Sequence, residues 1–100
     1  MAVQLLRATV KDEHAADAET AVKELFATID EVQPANLRYA SCRVAGTNEF
    51  VILVEITEGT DDPRPAIPGM AEFQANIAAW VAGPPTMERI EPVGTYRLFD

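Results

Sequence analysis

Residues Phe50 to Ile56 read FVILVEI, apolar at every position except Glu55. A short run of this kind, with no helical period and rich in β-branched and aromatic residues, is a strand, and a strand without a polar face is covered on both sides. Such a strand sits inside a sheet and needs cover from another layer, so it dictates what the flanking segments must supply.

They supply it in a definite order. Val3 to Val10, VQLLRATV, has the composition of a first strand and ends at Lys11-Asp12-Glu13, where Asp12 is the expected N-cap of a helix. Ala18, Val22, Leu25, Phe26 and Ile29 then fall on one face of a helical wheel, with Asp17, Thr20, Glu24 and Glu31 elsewhere on it. This helix ends before Pro34, because the residue preceding a proline is biased away from helical geometry. Leu37 to Val44, LRYASCRV, is a second strand, joined to FVILVEI through Ala45-Gly46-Thr47-Asn48, residues that tolerate a hairpin turn. After residues 58–69, EGTDDPRPAIPG, the positions Met70, Phe73, Ile77, Trp80 and Val81 define a second amphipathic helix, which stops at Gly83-Pro84-Pro85. Glu88 to Phe99 carries a strand-like GTYRLF, with Pro92 and Gly94 marking a bend or edge.

Strand, helix, strand, strand, helix, strand is the split βαβ or ferredoxin-like plan, an α+β fold with an antiparallel sheet and two helices on one face. Its first and third strands are central and the others are edges, which suits the greater apolarity of VQLLRATV and FVILVEI. The plan leaves one sheet face bare, yet Val51 and Leu53 keep that side of the third strand apolar. A bare apolar face is an association surface, so a homodimer with two sheets facing each other, a dimeric α/β barrel, is expected.

The 100 residues are the size of one domain, spanning 1–100. A formal charge of -8 repels phosphate backbones and anionic membrane surfaces, so nucleic acid is not an expected partner. No stretch approaches the roughly 20 apolar residues of a membrane span. The start, MAVQLLRATVKDEH, has neither a basic leader nor a hydrophobic signal core, and a cytoplasmic protein is expected. Cys42 is the only cysteine, which rules out an intrachain disulfide and reads as an inert strand residue.

The middle hairpin YASCRVAGTNEFVILVEI, the helical AEFQANIAAW and the closing GTYRLF together resemble the dimeric α/β barrel superfamily, and within it the antibiotic biosynthesis monooxygenase-like domains. The resemblance spans nearly the whole chain. It implies a pocket between sheet and helices and activities that range from oxygenation of aromatic polyketides without metal or flavin, through haem breakdown, to isomerisation of small metabolites. Many relatives carry two histidines on the second helix, where this chain has Asn76 and, farther on, Trp80 and Val81. Haem is therefore not expected: nothing in the second half of the chain offers an axial histidine.

Several residues stand out on chemical grounds. His14, the only histidine, is a general-base candidate or else a solvated residue of a first helical turn. Glu55 is a proton-shuttle candidate if it points into the barrel, and otherwise a structural partner of Arg7, Arg38 or Arg43. Asn76 and Trp80 stand four apart, where an amide and an indole would hold a planar ligand, although Trp80 also completes an apolar stripe. Tyr39 and Tyr96 are ligand contacts or packing residues with a hydrogen-bonded tip. Glu58, Asp61 and Asp62 lack the spacing of a calcium loop, and Gly59 alone is no phosphate cradle.

Two functions from different classes follow. The first is a small-molecule-binding dimeric barrel acting on a planar apolar metabolite as a cofactor-independent monooxygenase or isomerase. There Glu55 or His14 handles the proton, and Asn76, Trp80 and Tyr39 position the ligand. The second is a non-catalytic homodimeric binding or assembly module whose pocket is filled by its own side chains. Neither calls for a metal or an organic cofactor. The proline-stiffened segment 58–69 is longer than most strand-to-helix connections, which marks it as a rim or lid beside the pocket or an arm across the dimer seam.

Overall fold

The computed structural model describes residues 3–98 of the chain. Strands β1 (Val3–Thr9), β2 (Leu37–Arg43), β3 (Glu49–Ile56) and β4 (Thr86–Ile90) form one sheet in the order β2-β3-β1-β4, with β1 and β3 central as the apolar patterning requires. All neighbouring pairs are antiparallel. Helix α1 (Ala15–Val32) follows β1 and helix α2 (Met70–Trp80) follows β3, completing the ferredoxin-like βαββαβ order.

Register decides which side chains share a face. Leu5 pairs with Leu53, Leu6 with Ile52 and Tyr39 with Val54. Because side chains alternate along a strand, Phe50, Ile52 and Val54 lie with Leu6, Ala8, Tyr39 and Ser41 on the helix-covered face. Val51, Leu53 and Glu55 lie with Leu5, Arg38 and Ala40 on the other.

Helix α1 buries Ala15, Ala18 and Leu25, and it ends at Gln33, a left-handed cap with φ 50° whose N–H donates to the Ile29 carbonyl at 2.7 Å. The helix stops before Pro34 as expected. Its start differs from the expectation. A 3₁₀ turn spans Asp12–His14 and His14 occupies the cap of α1. The Asp12 carboxylate instead accepts a hydrogen bond from the Asn48 side-chain amide, fastening the helix entry to the β2–β3 hairpin.

The last strand also differs. The strand is TMERI, and residues 92–98, including most of GTYRLF, are not strand; Phe99 lies outside the described residues. Pairing with β1 runs from Arg7↔Thr86 to Val3↔Ile90. Pro92 then follows without an N–H to continue a ladder. Val93, Tyr96 and Leu98 are left exposed.

The core divides into two clusters. Val10, Ala18 and Phe50 gather Val22, Ile77 and Trp80 at one end of the helix-covered face. Leu25, Ile67 and Met70 gather Phe26, Tyr39 and Phe73 at the other. At the first end the chain after α2 is tied to β1. Val10 and Val81 form an isolated β-bridge, Lys11 N–H donates to the Trp80 carbonyl at 2.9 Å, and Ala82 N–H donates to the Thr9 carbonyl at 2.8 Å.

Candidate functional site

Between the sheet and the two helices lies a cavity of about 440 Å³, within the range of small-molecule sites. Its floor is the face built by Leu6, Ala8, Phe50, Ile52 and Val54, and its roof is Val22, Phe26, Phe73 and Ile77. It borders both core clusters, so the chain's own side chains do not fill the space. From Phe50 to Val54 it follows β3 for roughly 13 Å at the usual rise per strand residue. The lining is mostly apolar. Its polar members are Tyr39, Ser41, Arg64 and Gln74.

The polar end is assembled by the long connection after β3. Thr57 N–H donates to the Asn36 carbonyl at 3.0 Å, and the Asn36 amide donates back to Thr60 Oγ1 at 3.0 Å and to the Asp61 carbonyl at 2.7 Å. Ile67, almost fully buried, anchors the far side of the loop against Leu25 and Met70. Pro63 and Pro65 flank Arg64 at the start of a short 3₁₀ turn, which narrows the backbone choices there. Asp62 then fixes the side chain of Arg64. Its Oδ1 accepts from the Arg64 backbone N–H at 2.9 Å and from Nε at 3.0 Å, while Oδ2 accepts from Nη2 at 2.7 Å.

Tyr39 packs edge-to-face on Phe26, with ring centroids 5.0 Å apart and planes at 88°. Burial pushes its phenol above the ordinary range; the Arg64 charge opposes that shift and the Asp62 charge adds to it. The hydrogen bond from Arg64 holds the Asp62 carboxyl below the usual carboxylate range. The same bond, made by the carboxylate, raises Arg64. At neutral pH the end therefore presents a protonated phenol beside a paired guanidinium. Both groups are hydrogen-bond donors, and neither is a base.

No family model matches the sequence, and no curated protein matches it. Solved structures do. A candidate antibiotic biosynthesis monooxygenase from Nitrosomonas europaea superposes with a TM-score of 0.72 at 20% identity, covering 94% of this chain and 100% of that one. A second such candidate, from Caulobacter crescentus, gives 0.68 at 18% identity, with 93% and 90% covered. The chain shares its ferredoxin-like fold with these proteins. A third structure with this fold is SnoaB from Streptomyces nogalater, a cofactor-independent oxygenase in a mutant form, at TM-score 0.68 and 17% identity, with 96% of each chain covered.

Within this ferredoxin-like fold, Tyr39 lines the cavity and the other singled-out residues stand outside its lining. Glu55 is buried on the opposite sheet face, directly across from Arg38 in register, with Arg38 Nη1 3.7 Å from its Oε1. This is the structural pairing foreseen as the alternative. Its Oε2 is buried with no hydrogen-bond partner among the described residues. His14 stacks on Trp80, ring centroids 5.5 Å apart at 16°, with its Nδ1 3.2 Å from the Asp17 carboxylate. Trp80 packs on the first core cluster. Asn76 lines a separate cleft of about 190 Å³ between α1 and α2, with Glu24, Thr28 and Glu72. The wheel explains this. The cavity-facing stripe of α2 runs through Phe73, Gln74, Ile77 and Ala78, and Asn76 is displaced from Ile77 by about 100°.

Ser41, Arg64 and Gln74 are the polar lining residues that sequence reasoning passed over. Gln74 sits beside the apolar stripe, and Ser41 shares the parity of Tyr39. Arg64 had one signal, a lone cation two residues after an aspartate in a proline-stiffened loop. Among the described residues no group of three or more His, Cys, Asp or Glu is placed to hold a metal ion. Among them, too, no helix is long and apolar enough to cross a membrane.

Proposed function

We propose that the chain binds a planar, mostly apolar small molecule in the cavity between sheet and helices and acts on it as a cofactor-independent oxygenase or isomerase. The observation that carries this reading is the cavity itself. It is a partly open space of about 440 Å³ with a mostly apolar lining and a few convergent polar groups, the form of a small-molecule site. Phe26, Phe50 and Phe73 supply aromatic walls, and Tyr39 and Arg64 orient an oxygen-bearing edge of the ligand. SnoaB, of similar fold, is a cofactor-independent oxygenase, which makes oxygenation the first chemistry to test. Such a reaction balances without added reductant when a ring CH2 takes up O2 and leaves as a carbonyl plus water.

A second reading, a non-catalytic binding module, is favoured by one observation: Glu55 and His14 both stand away from the cavity lining. Both readings include a homodimer formed through the sheet face that carries Leu5, Val51 and Leu53, none of them fully buried in the single chain. The exposed Val93, Tyr96 and Leu98 add apolar surface for a second copy.

A thermal-shift and native mass-spectrometry screen against quinols and polyketide phenols tests the first reading, because a ligand bound only by the folded state raises its melting temperature. Oxygen uptake or isomerisation by the compounds that bind separates enzyme from binder. If no compound shifts the melting temperature or adds mass, the cavity is not a ligand site.

A further inference from the structure

Asp62 does not line the cavity, yet it occupies one hydrogen-bonding edge, Nε and Nη2, of the guanidinium that does. Of the side-chain nitrogens of Arg64, only Nη1 has no hydrogen-bond partner among the described residues. Among the described residues, Arg64 is the one cation in the cavity lining. An unpaired arginine at the end of an apolar cavity is a receptor for a carboxylate, matching it with two parallel donors. Here a carboxylate from the protein itself already takes one bidentate edge and neutralises the charge, with Oδ2 2.7 Å from Nη2, while the Nη1 end keeps its donors. A ligand carboxylate would meet a neutralised pair and the nearby negative charge of Asp62. An uncharged carbonyl or hydroxyl meets Nη1 and the Tyr39 phenol as donors with no like charge to overcome.

From this geometry we infer that Asp62 is a specificity-determining residue. By pairing with Arg64 it turns the polar end of the cavity from an anion receptor into a hydrogen-bond donor for uncharged, oxygen-bearing aromatic ligands. The inference rests on the cavity being a ligand site and names the class of ligand it takes. The electrostatics of Tyr39 agree, since the Asp62 charge acts on the phenol against that of Arg64. Asp62 works through Arg64 and is thus a positioning residue.

The test compares 2-naphthol, uncharged at neutral pH, with 2-naphthoate by isothermal titration calorimetry on the full chain. Wild type is expected to prefer the naphthol. Asp62→Asn keeps an oxygen for the Arg64 backbone N–H but removes the charge, and it should shift the naphthol-to-naphthoate affinity ratio toward naphthoate by about tenfold. Asp62→Glu, which keeps the charge, should retain the wild-type preference. A structural role would not move a second readout: in a Tyr96→Phe background, which leaves Tyr39 as the only tyrosine, ultraviolet titration should show the phenol ionising at lower pH in the Asn variant. A wild-type preference for naphthoate overturns the inference without any variant. So does an unchanged ratio in a folded Asp62→Asn protein whose Tyr39 titration has moved. Binding of neither probe to any of the proteins, with that titration shift present, overturns the cavity reading instead and the ligand class with it.

Discussion

Arg38 Nη1 stands 3.7 Å from Oε1 of Glu55 across the β2–β3 register, too far for a hydrogen bond, while the second carboxylate oxygen is buried without a partner among the described residues. Arg38 is far more exposed than Glu55, so the pair is desolvated on one side only. Such an arrangement returns little of what burying the carboxylate costs. Glu55→Met is therefore expected to leave stability unchanged or raise it by about 1 kcal/mol, and Arg38→Ala to lower it by about 1–3 kcal/mol. Urea denaturation midpoints of the two variants measure both; a large loss in Glu55→Met would show that the carboxylate is better satisfied than the geometry allows.

Tyr39 imposes an alkaline limit. Its folded-state pKa is raised, chiefly by burial, so the folded protein holds the phenolic proton at pH values where the unfolded chain has released it. The associated stability is complete below the unfolded value near 10 and is lost as pH rises through the folded value. Tyr39→Phe should remove this slope and leave acid stability unchanged, as followed by melting temperature against pH. It should also weaken naphthol binding by about 1 kcal/mol, one neutral hydrogen bond.

Asp62 gives the opposite sign at the acid end. Its pKa is lowered by the bond from Arg64, so its contribution is present above the unfolded value and fades as pH falls through the folded one. Asp62 is partly exposed, and solvent screening keeps the effect small. Arg64→Gln should flatten that acid slope in the same melting experiment.

The loop rests on Asn36, whose amide reaches Thr60 and Asp61. Asn36→Ala is expected to cost about 1–2 kcal/mol of loop closure and to speed amide hydrogen exchange from Thr57 to Arg64 while exchange in β1 and β3 stays slow. Equal acceleration throughout would mean that the loop and sheet open as one unit.

Leu5 and Leu53 are register partners at the middle of the sheet face away from the helices. Leu53→Lys places a charge there and should convert a dimer to a monomer in light scattering, with the helix-covered cavity untouched. A monomer already in the wild type at micromolar concentration would sink the dimer.

Most of the fold could be read from local pattern because the helices carry the 3.6-residue period and the central strands are short apolar runs bounded by turn residues. GTYRLF misled because β composition describes a residue's preference, whereas pairing requires a free edge at the right place. The ladder with β1 had already reached Val3↔Ile90 before Pro92. Glu55 stands out as the one charge in an apolar run, but which face it occupies depends on pairing parity, a long-range quantity. Tyr39 was legible as an aromatic on an edge strand. Arg64 was not, because its role arises when a loop 25 positions downstream folds back over that strand.

The backbone stitch between Val10 and Val81 makes the two ends of the cavity mechanically unlike. At that end, departure of a guest would mean parting a β-bridge and the main-chain bonds of Lys11 and Ala82. At the other, it means loosening a surface loop held by the side chains of Asn36 and Asp62. On the proposed ligand-binding reading, the loop end is the one that yields more readily, and residence time follows the loop's opening rate. Substitutions at Asn36 should change how long a guest stays far more than where it sits.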